Sequence, residues 1–238
     1  MLLTHFTFMK LYKTVNKKAR VFIENRTLRI GSLSYYKNIE STNPGKDDSE
    51  GIPDLIITGP NITLTFDEFK EKFKTIGGSE IGIKPFKAIT LNNNSGIKMI
   101  SPINSLVFCA STKFLPHFGD QCFEILNIED FAKALKDEIY KKLMDFDVDY
   151  KAIFYSHRLV GYSDEKPENI IWDLTTNVPA FKDELIFTKR KKYEKECEYR
   201  FLFAPVILEG LRIVCIPTNL EYFDIEIPNL EKLIKWIT

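Results

Sequence analysis

The chain of 238 residues lacks any surplus of charge, with Lys plus Arg and Asp plus Glu at 33 each. No overall field therefore draws in a polyanion or a membrane surface, and a nucleic-acid role needs a local basic patch. Cysteine is scarce: Cys109, Cys122, Cys197 and Cys215 form no C-x-x-C pair and have no nearby histidine at ligand spacing. That leaves no zinc pattern, and no metal site is assigned. Three of the four sit in apolar runs, which suits reduced thiols of a cytoplasmic protein better than a secreted disulfide framework. No apolar run reaches the about 18 residues that suggest a membrane span, and MLLTHFTFMKLYK lacks the long h-region and cleavage site of a secretory leader. A cytoplasmic protein with no membrane role is expected. There is no Walker loop, no G-x-G-x-x-G and no hydrolase nucleophile elbow. His5, His117 and His157 lie far apart with no nucleophile at motif spacing, and they read as structural.

Aromatic residues, by contrast, are plentiful at 19 Phe and 10 Tyr. A strand-rich fold is the natural home for so many rings. Strands are expected at Phe6 to Tyr12, closed by Lys13, and at Thr27 to Leu33, where Gly31 allows a bulge or a close approach. Lys17 to Glu24 leans to helix, and Ser34 can cap a short helix. Leu55 to Thr58 and Ile62 to Phe66 resemble a hairpin, followed by the capping box Thr65 to Glu68. Ser105 to Ala110 is nearly all apolar, as a strand covered on both faces would be. Cys122 to Leu126 gives another strand, and Asn127 caps a helix over Glu129 to Met144 with Phe131, Leu135, Ile139 and Leu143 on one face. Ala152 to Tyr155 and Arg158 to Tyr162 read as a hairpin. Val206 to Ile216 pairs with the preceding strand across Glu209-Gly210, Tyr222 to Ile227 alternates as a strand, and Asn229 to Ile237 reads as a terminal helix. No repeat or linker divides the chain. The expectation is one α+β domain over residues 1–238, with mixed, largely antiparallel sheets and segregated helices.

One stretch stands out for chemistry, Thr188 to Phe203, TKRKKYEKECEYRFLF. From Glu196 onward Glu196, Glu198 and Arg200 share one parity, and Cys197, Tyr199, Phe201 and Phe203 the other. On a half-exposed strand this makes one face apolar and lines the other with two carboxylates and a guanidinium. Such a pattern equally fits cross-strand ion pairing with no catalytic role. The basic run Lys189 to Lys192 reads as a solvated loop unless it flanks the same site. The acidic loop Asn43 to Gly51 reads as a turn.

Several motifs resemble a large bacterial and phage family of uncharacterised proteins. They are Leu11-Tyr12-Lys13, the L-R-x-G-S-L-x-Y-Y segment Leu28 to Tyr36, Glu50-Gly51, Phe118-Gly119-Asp120 and the run from Phe187 to Phe201. That family's layout is similar to the ADP-ribosyltransferase scaffold. The resemblance implies NAD as substrate, bound by Tyr12, Lys13, Ser32, Ser34, Tyr36 and Arg200, with Glu198 and Glu196 catalytic. Glu198 would stabilise the positive charge that develops on ribose as nicotinamide leaves, and Glu196 would orient or deprotonate the acceptor. Glu198→Gln is then expected to keep the fold and lose activity. Lys13 departs from the scaffold's Arg or His, and a lysine meets phosphate as a point charge without arginine's fork.

The resemblance implies a transferase or toxin acting on a macromolecular acceptor, protein or nucleic acid, in conflict between bacteria and phages, with an antitoxin or defence-system partner. A non-catalytic interaction or sensor subunit with a degraded site is the alternative, and Lys13 favours it. A third possibility is a nucleic-acid enzyme holding a metal with Asp47, Asp48, Glu50 and Glu198.

Overall fold

Branched and aromatic residues set the architecture, and most elements are strands. The computed structural model describes residues 9–33, 35–36, 54–58, 61–65, 67–68, 87–91, 95–98, 105–145, 151–165, 170–173, 186–209, 212–215 and 221–237. In chain order the elements are β1 (Leu11–Val15), α1 (Lys17–Glu24), β2 (Thr27–Ser32), β3 (Asp54–Thr58), β4 (Ile62–Leu64), β5 (Ile89–Leu91), β6 (Ser95–Lys98), β7 (Leu106–Ser111), β8 (Gln121–Ile125), α2 (Ile128–Leu143), β9 (Ala152–Leu159), β10 (Gly161–Tyr162), β11 (Ile170–Asp173), β12 (Thr188–Lys189), β13 (Glu198–Glu209), β14 (Arg212–Cys215), β15 (Tyr222–Glu226) and β16 (Ile234–Trp236). The class is α+β with a mostly antiparallel sheet; β10 with β12 and β11 with β3 are parallel pairs.

Nine strands form the main sheet. Its spine is β7 beside β13, with Glu198 opposite Ser111 and Phe203 opposite Leu106. β9 lies along the other edge of β13, and β14 continues from its far end as a hairpin. The remaining edge of β7 is shared by two strands. Tyr12 of β1 pairs with Ser111 at one end, while Gly31 and Ser32 of β2 pair with Val107 and Leu106 at the other. From there β1 leads to β8 and β16, and β2 leads to β15. The sheet therefore forks along one edge of β7.

Side-chain alternation assigns the two faces of this sheet. On one, Phe108, Phe201 and Phe203 meet α2, whose Phe131, Leu135, Ile139 and Leu143 are fully buried. Ring centroids of Phe108, Phe131 and Phe201 lie 5.4 to 6.0 Å apart in tilted or edge contacts. Asn127 caps α2 by accepting from the amides of Glu129 and Asp130. On the opposite face Leu33, Val107, Ile186, Phe187 and Leu202 form a smaller cluster, packed by Tyr36 and Cys109.

Several expectations need correction. β1 does not end at Lys13 but runs through it to Val15. Ile62–Leu64 pairs with Ile89–Leu91, and Asp54–Thr58 with β6 and β11, so β3 and β4 form no hairpin with each other. Residues 152–159 are one uninterrupted strand, because all eight face β13 in register. The C-terminal segment is a short 3-10 turn at Leu230–Lys232 followed by β16, not a helix. Asn229 adopts a left-handed conformation that starts the turn, and Ile234 to Trp236 then pair with β8. Thr65 and Glu68 do form the capping box, each accepting from the other's amide.

Candidate functional site

The fork holds the site. Between the attachments of β1 and β2, β7 presents its edge near Phe108 to Ala110, and the ammonium of Lys13 crosses the gap to donate to the Cys109 carbonyl at 2.7 Å. A backbone carbonyl at a split sheet needs a donor once the neighbouring strand has diverged, and Lys13 supplies it. Its stem leaves β1 on the core side, with the ammonium 5.1 Å from the Phe108 ring centroid, whereas Tyr12 and Thr14 point to the opposite face. Burial lowers the Lys13 pKa, and the nearby Cys109 and Glu198 oppose that shift.

The side of β13 away from α2 carries Glu198 and Arg200, as parity predicts, while Tyr199 and Phe201 pack in the core. Glu196 is not on this strand. Lys191–Glu196 is a 3-10 turn, and Cys197 adopts a left-handed conformation with φ 44° before β13 begins at Glu198. The carboxylates still converge, because Lys189 Nζ donates to Glu196 Oε2 at 2.9 Å and to Glu198 Oε2 at 3.2 Å. Lys189 is only 3% exposed, so the reading of the whole basic run as solvated fails at its first residue. Its period-two placement on β12 points it inward; the motif from Phe187 to Phe201 includes it, yet it was grouped with Arg190, Lys191 and Lys192 as a solvated loop.

Glu198 is 6% exposed and densely held. Arg200 Nε donates to Oε1 at 2.6 Å, its Nη2 to Oε2 at 3.3 Å, and its Nη1 to the Ile186 carbonyl. The Glu198 amide donates to the Tyr162 hydroxyl at 2.8 Å. Burial by itself would raise the Glu198 pKa. The charges of Arg200 and Lys189, with hydrogen bonds from Arg200 and the Cys109 thiol, override it and hold the carboxyl below the usual range. Cys109 and Tyr36 are both pushed up, mainly by burial, and stay protonated. Tyr162 is pushed up to about 12, again mainly by burial. At neutral pH Glu198 can therefore act as a fixed negative charge but not as a proton donor.

Two cavities meet at the fork. The first, of about 270 Å³, is lined by Tyr12, Lys13, Tyr36, Cys109, Phe118, Glu196, Glu198 and Arg200 among others. The second, of about 510 Å³, lies toward α1 and shares Lys13, Tyr36 and Phe118 with it. Of the expected site residues, the fold thus gathers Tyr12, Lys13, Tyr36, Glu196, Glu198 and Arg200. Ser32 does not line the cleft: it is fully buried and its Oγ accepts from the Tyr35 amide at 3.2 Å. Ser34 lies outside the described residues, as do Asp47, Asp48 and Glu50 of the acidic loop. Lys189, Cys109, Phe118 and Tyr162 join the site without having been anticipated. Phe118 and Lys189 lay in the motifs Phe118-Gly119-Asp120 and Phe187 to Phe201, but neither had been assigned to the site.

Among the described residues no group of His, Cys, Asp and Glu could hold a metal ion, and no helix is long and apolar enough to cross a membrane. No protein family, curated protein or solved structure matches the chain.

Proposed function

We propose that the forked cleft binds a nicotinamide dinucleotide and that the protein transfers ADP-ribose from it to a macromolecular acceptor, as a toxin in conflict between bacteria and phages. One observation carries the proposal: Tyr12 and Lys13 of the first strand and Glu198 of β13 line one cavity where the sheet divides. The first cavity, at about 270 Å³, falls short of what a drug-sized ligand fills, and the dinucleotide would extend past Lys13 into the second, at about 510 Å³. Tyr12, Tyr36 and Phe118 offer rings for the nicotinamide, and Lys13 offers a charge for phosphate. Glu198, ionised and immobile, would favour the positive charge developing on ribose. Glu196, at the rim, would orient the acceptor.

A second reading has its own observation. Arg200 and Lys189 already engage both oxygens of Glu198 and offset its charge. That arrangement suits a non-catalytic sensor or interaction subunit that binds a ligand, or an antitoxin or defence partner, without turning it over.

Labelled ADP-ribose transfer from NAD to total protein and to nucleic acid, paired with calorimetry of NAD binding, separates them. Transfer is expected with wild type and is expected to fall about a hundredfold in Glu196→Gln, with NAD affinity kept within a few fold. Binding without transfer moves the assignment to the sensor. Absence of both overturns the transferase and moves the assignment to an interaction subunit that binds a protein partner.

A further inference from the structure

The rim of the cleft combines exposed cations with exposed rings. The loop after β7 presents Lys113, Phe114, His117 and Phe118 to solvent, with Phe114 and Phe118 43% and 47% exposed and the His117 and Phe118 rings 4.3 Å apart. The 3-10 turn before β13 presents Lys191, Lys192 and Lys195, all exposed. These segments form one ledge. Ser111 Oγ donates to the Glu196 carbonyl at 2.7 Å, and the Thr112 amide to the Cys197 carbonyl at 3.0 Å. Glu194, Asp164 and Glu165 are the exposed acidic neighbours, while Glu196 is engaged by Lys189 and Asp120 by Lys17; Asp164 accepts from the Lys191 amide at 3.2 Å. Among the described residues, the ammonium groups of Lys113, Lys191 and Lys195 enter no ion pair. Glu196 and Phe118, which belong to the ledge, also line the cavity that holds Glu198.

We propose that this ledge binds single-stranded nucleic acid and feeds one nucleotide toward the cleft. The chain has no net charge, so the attraction must be local, and the cations of this ledge supply it. Phosphates pair with lysines at a spacing no specific base requires, and unpaired bases stack on exposed aromatic faces. A duplex hides its base faces from Phe114 and Phe118, and an acidic peptide has no use for them. The identification of this strand as the acceptor rests on the transferase reading above; the binding itself does not.

The test is fluorescence anisotropy with labelled oligo-dT and oligo-U of about 15 nucleotides, without NAD, set against a duplex of equal length and a poly-glutamate peptide. Single strands are expected to bind at least about tenfold tighter than the duplex or the peptide. The combined variant Lys191→Ala/Lys192→Ala/Lys195→Ala should weaken binding about tenfold or more and lower the salt slope by roughly two to three. Phe114→Ala should weaken it about fivefold or more with the slope unchanged, a loss that charge alone does not explain. Lys133→Ala, on the solvent side of α2 beyond the other face of the sheet, should leave it unchanged, with circular dichroism verifying that each variant folds. Equal binding of the peptide assigns the ledge to an acidic protein and overturns the proposal. So does binding that ignores Phe114 or the three lysines, or no binding at low salt. Loss of transfer with strand binding intact would count against the transferase alone.

Discussion

Glu198 owes its charge to Arg200 and Lys189, and they owe their burial to Glu198. The three residues lie at 6%, 2% and 3% exposure. Removing one charge from such a group leaves the others uncompensated, at a cost of about 3–5 kcal/mol. Parity led to Glu198→Gln as a neutral change for the fold, on the premise of a half-exposed strand. Burial reverses that expectation: Glu198→Gln should lower the urea midpoint sharply, and a wild-type midpoint would refute the buried cluster. The acid limb carries the same information. Between the depressed folded pKa and the ordinary 4.5, the unfolded chain binds the extra proton, so stability rises with pH across that window. The contribution is complete above about pH 4.5 and disappears as pH falls through the folded value. Glu198→Gln should therefore show a flatter acid limb than wild type. At this scale, the alternation of apolar and charged residues was enough to find Glu198 and Arg200. It misplaced Glu196, because one residue at φ 44°, Cys197, breaks the strand and nothing in a cysteine announces a left-handed backbone.

The strands nearest the site were the easiest elements to read. Leu106–Ser111 has no polar face to misassign, and the far half of β13 turns back where Glu209-Gly210 suggested. What failed was partner choice. Alternation identifies a strand's faces but not its neighbours, so Asp54–Thr58 and Ile62–Leu64 went to each other when each had a distant partner. The terminal segment failed for a different reason. Leu230, Leu233 and Ile234 have helical spacing, and only pairing with β8 decides for a strand. Gly119 offers a test of how the ledge is anchored. A Cβ there would lie 2.2 Å from the Val15 carbonyl oxygen and 2.4 Å from its carbon, so the backbone of the loop or of β1 would have to move. A Cβ on Gly31 would meet ring atoms of Tyr35 and Tyr36 at 2.7 Å, and rings can turn aside. Gly119→Ala should cost about 1–3 kcal/mol or more in urea denaturation, and Gly31→Ala less. The opposite order would mean that the loop is not pinned to β1.

For the whole molecule, composition was sufficient for the α+β class, since 19 Phe and 10 Tyr in 238 residues call for strands and the capped, four-spaced helix for a layer over them. The fork was not legible, because it depends on β1 and β2 sharing one edge of a strand some 75 to 100 residues further on. That arrangement makes stability a property of the whole sheet. β16 reaches β13 through the unbroken path β8, β1 and β7, so its release opens an edge that nothing else described covers. Trp236 reports on it: the indole stands edge-on to Phe123 at 5.4 Å, with the Arg20 guanidinium 4.5 Å from its ring. In a Trp172→Phe background Trp236 is the only indole, and its emission follows β16 alone. If the nine strands melt together, the emission transition and the far-ultraviolet dichroism transition in urea share one midpoint and one slope. The expected outcome is that they coincide. Earlier loss of the Trp236 contact would make the β1–β8–β16 arm a separate cooperative unit. Lys13 would then lie at the boundary between two units, and the cleft could open without the rest of the sheet unfolding.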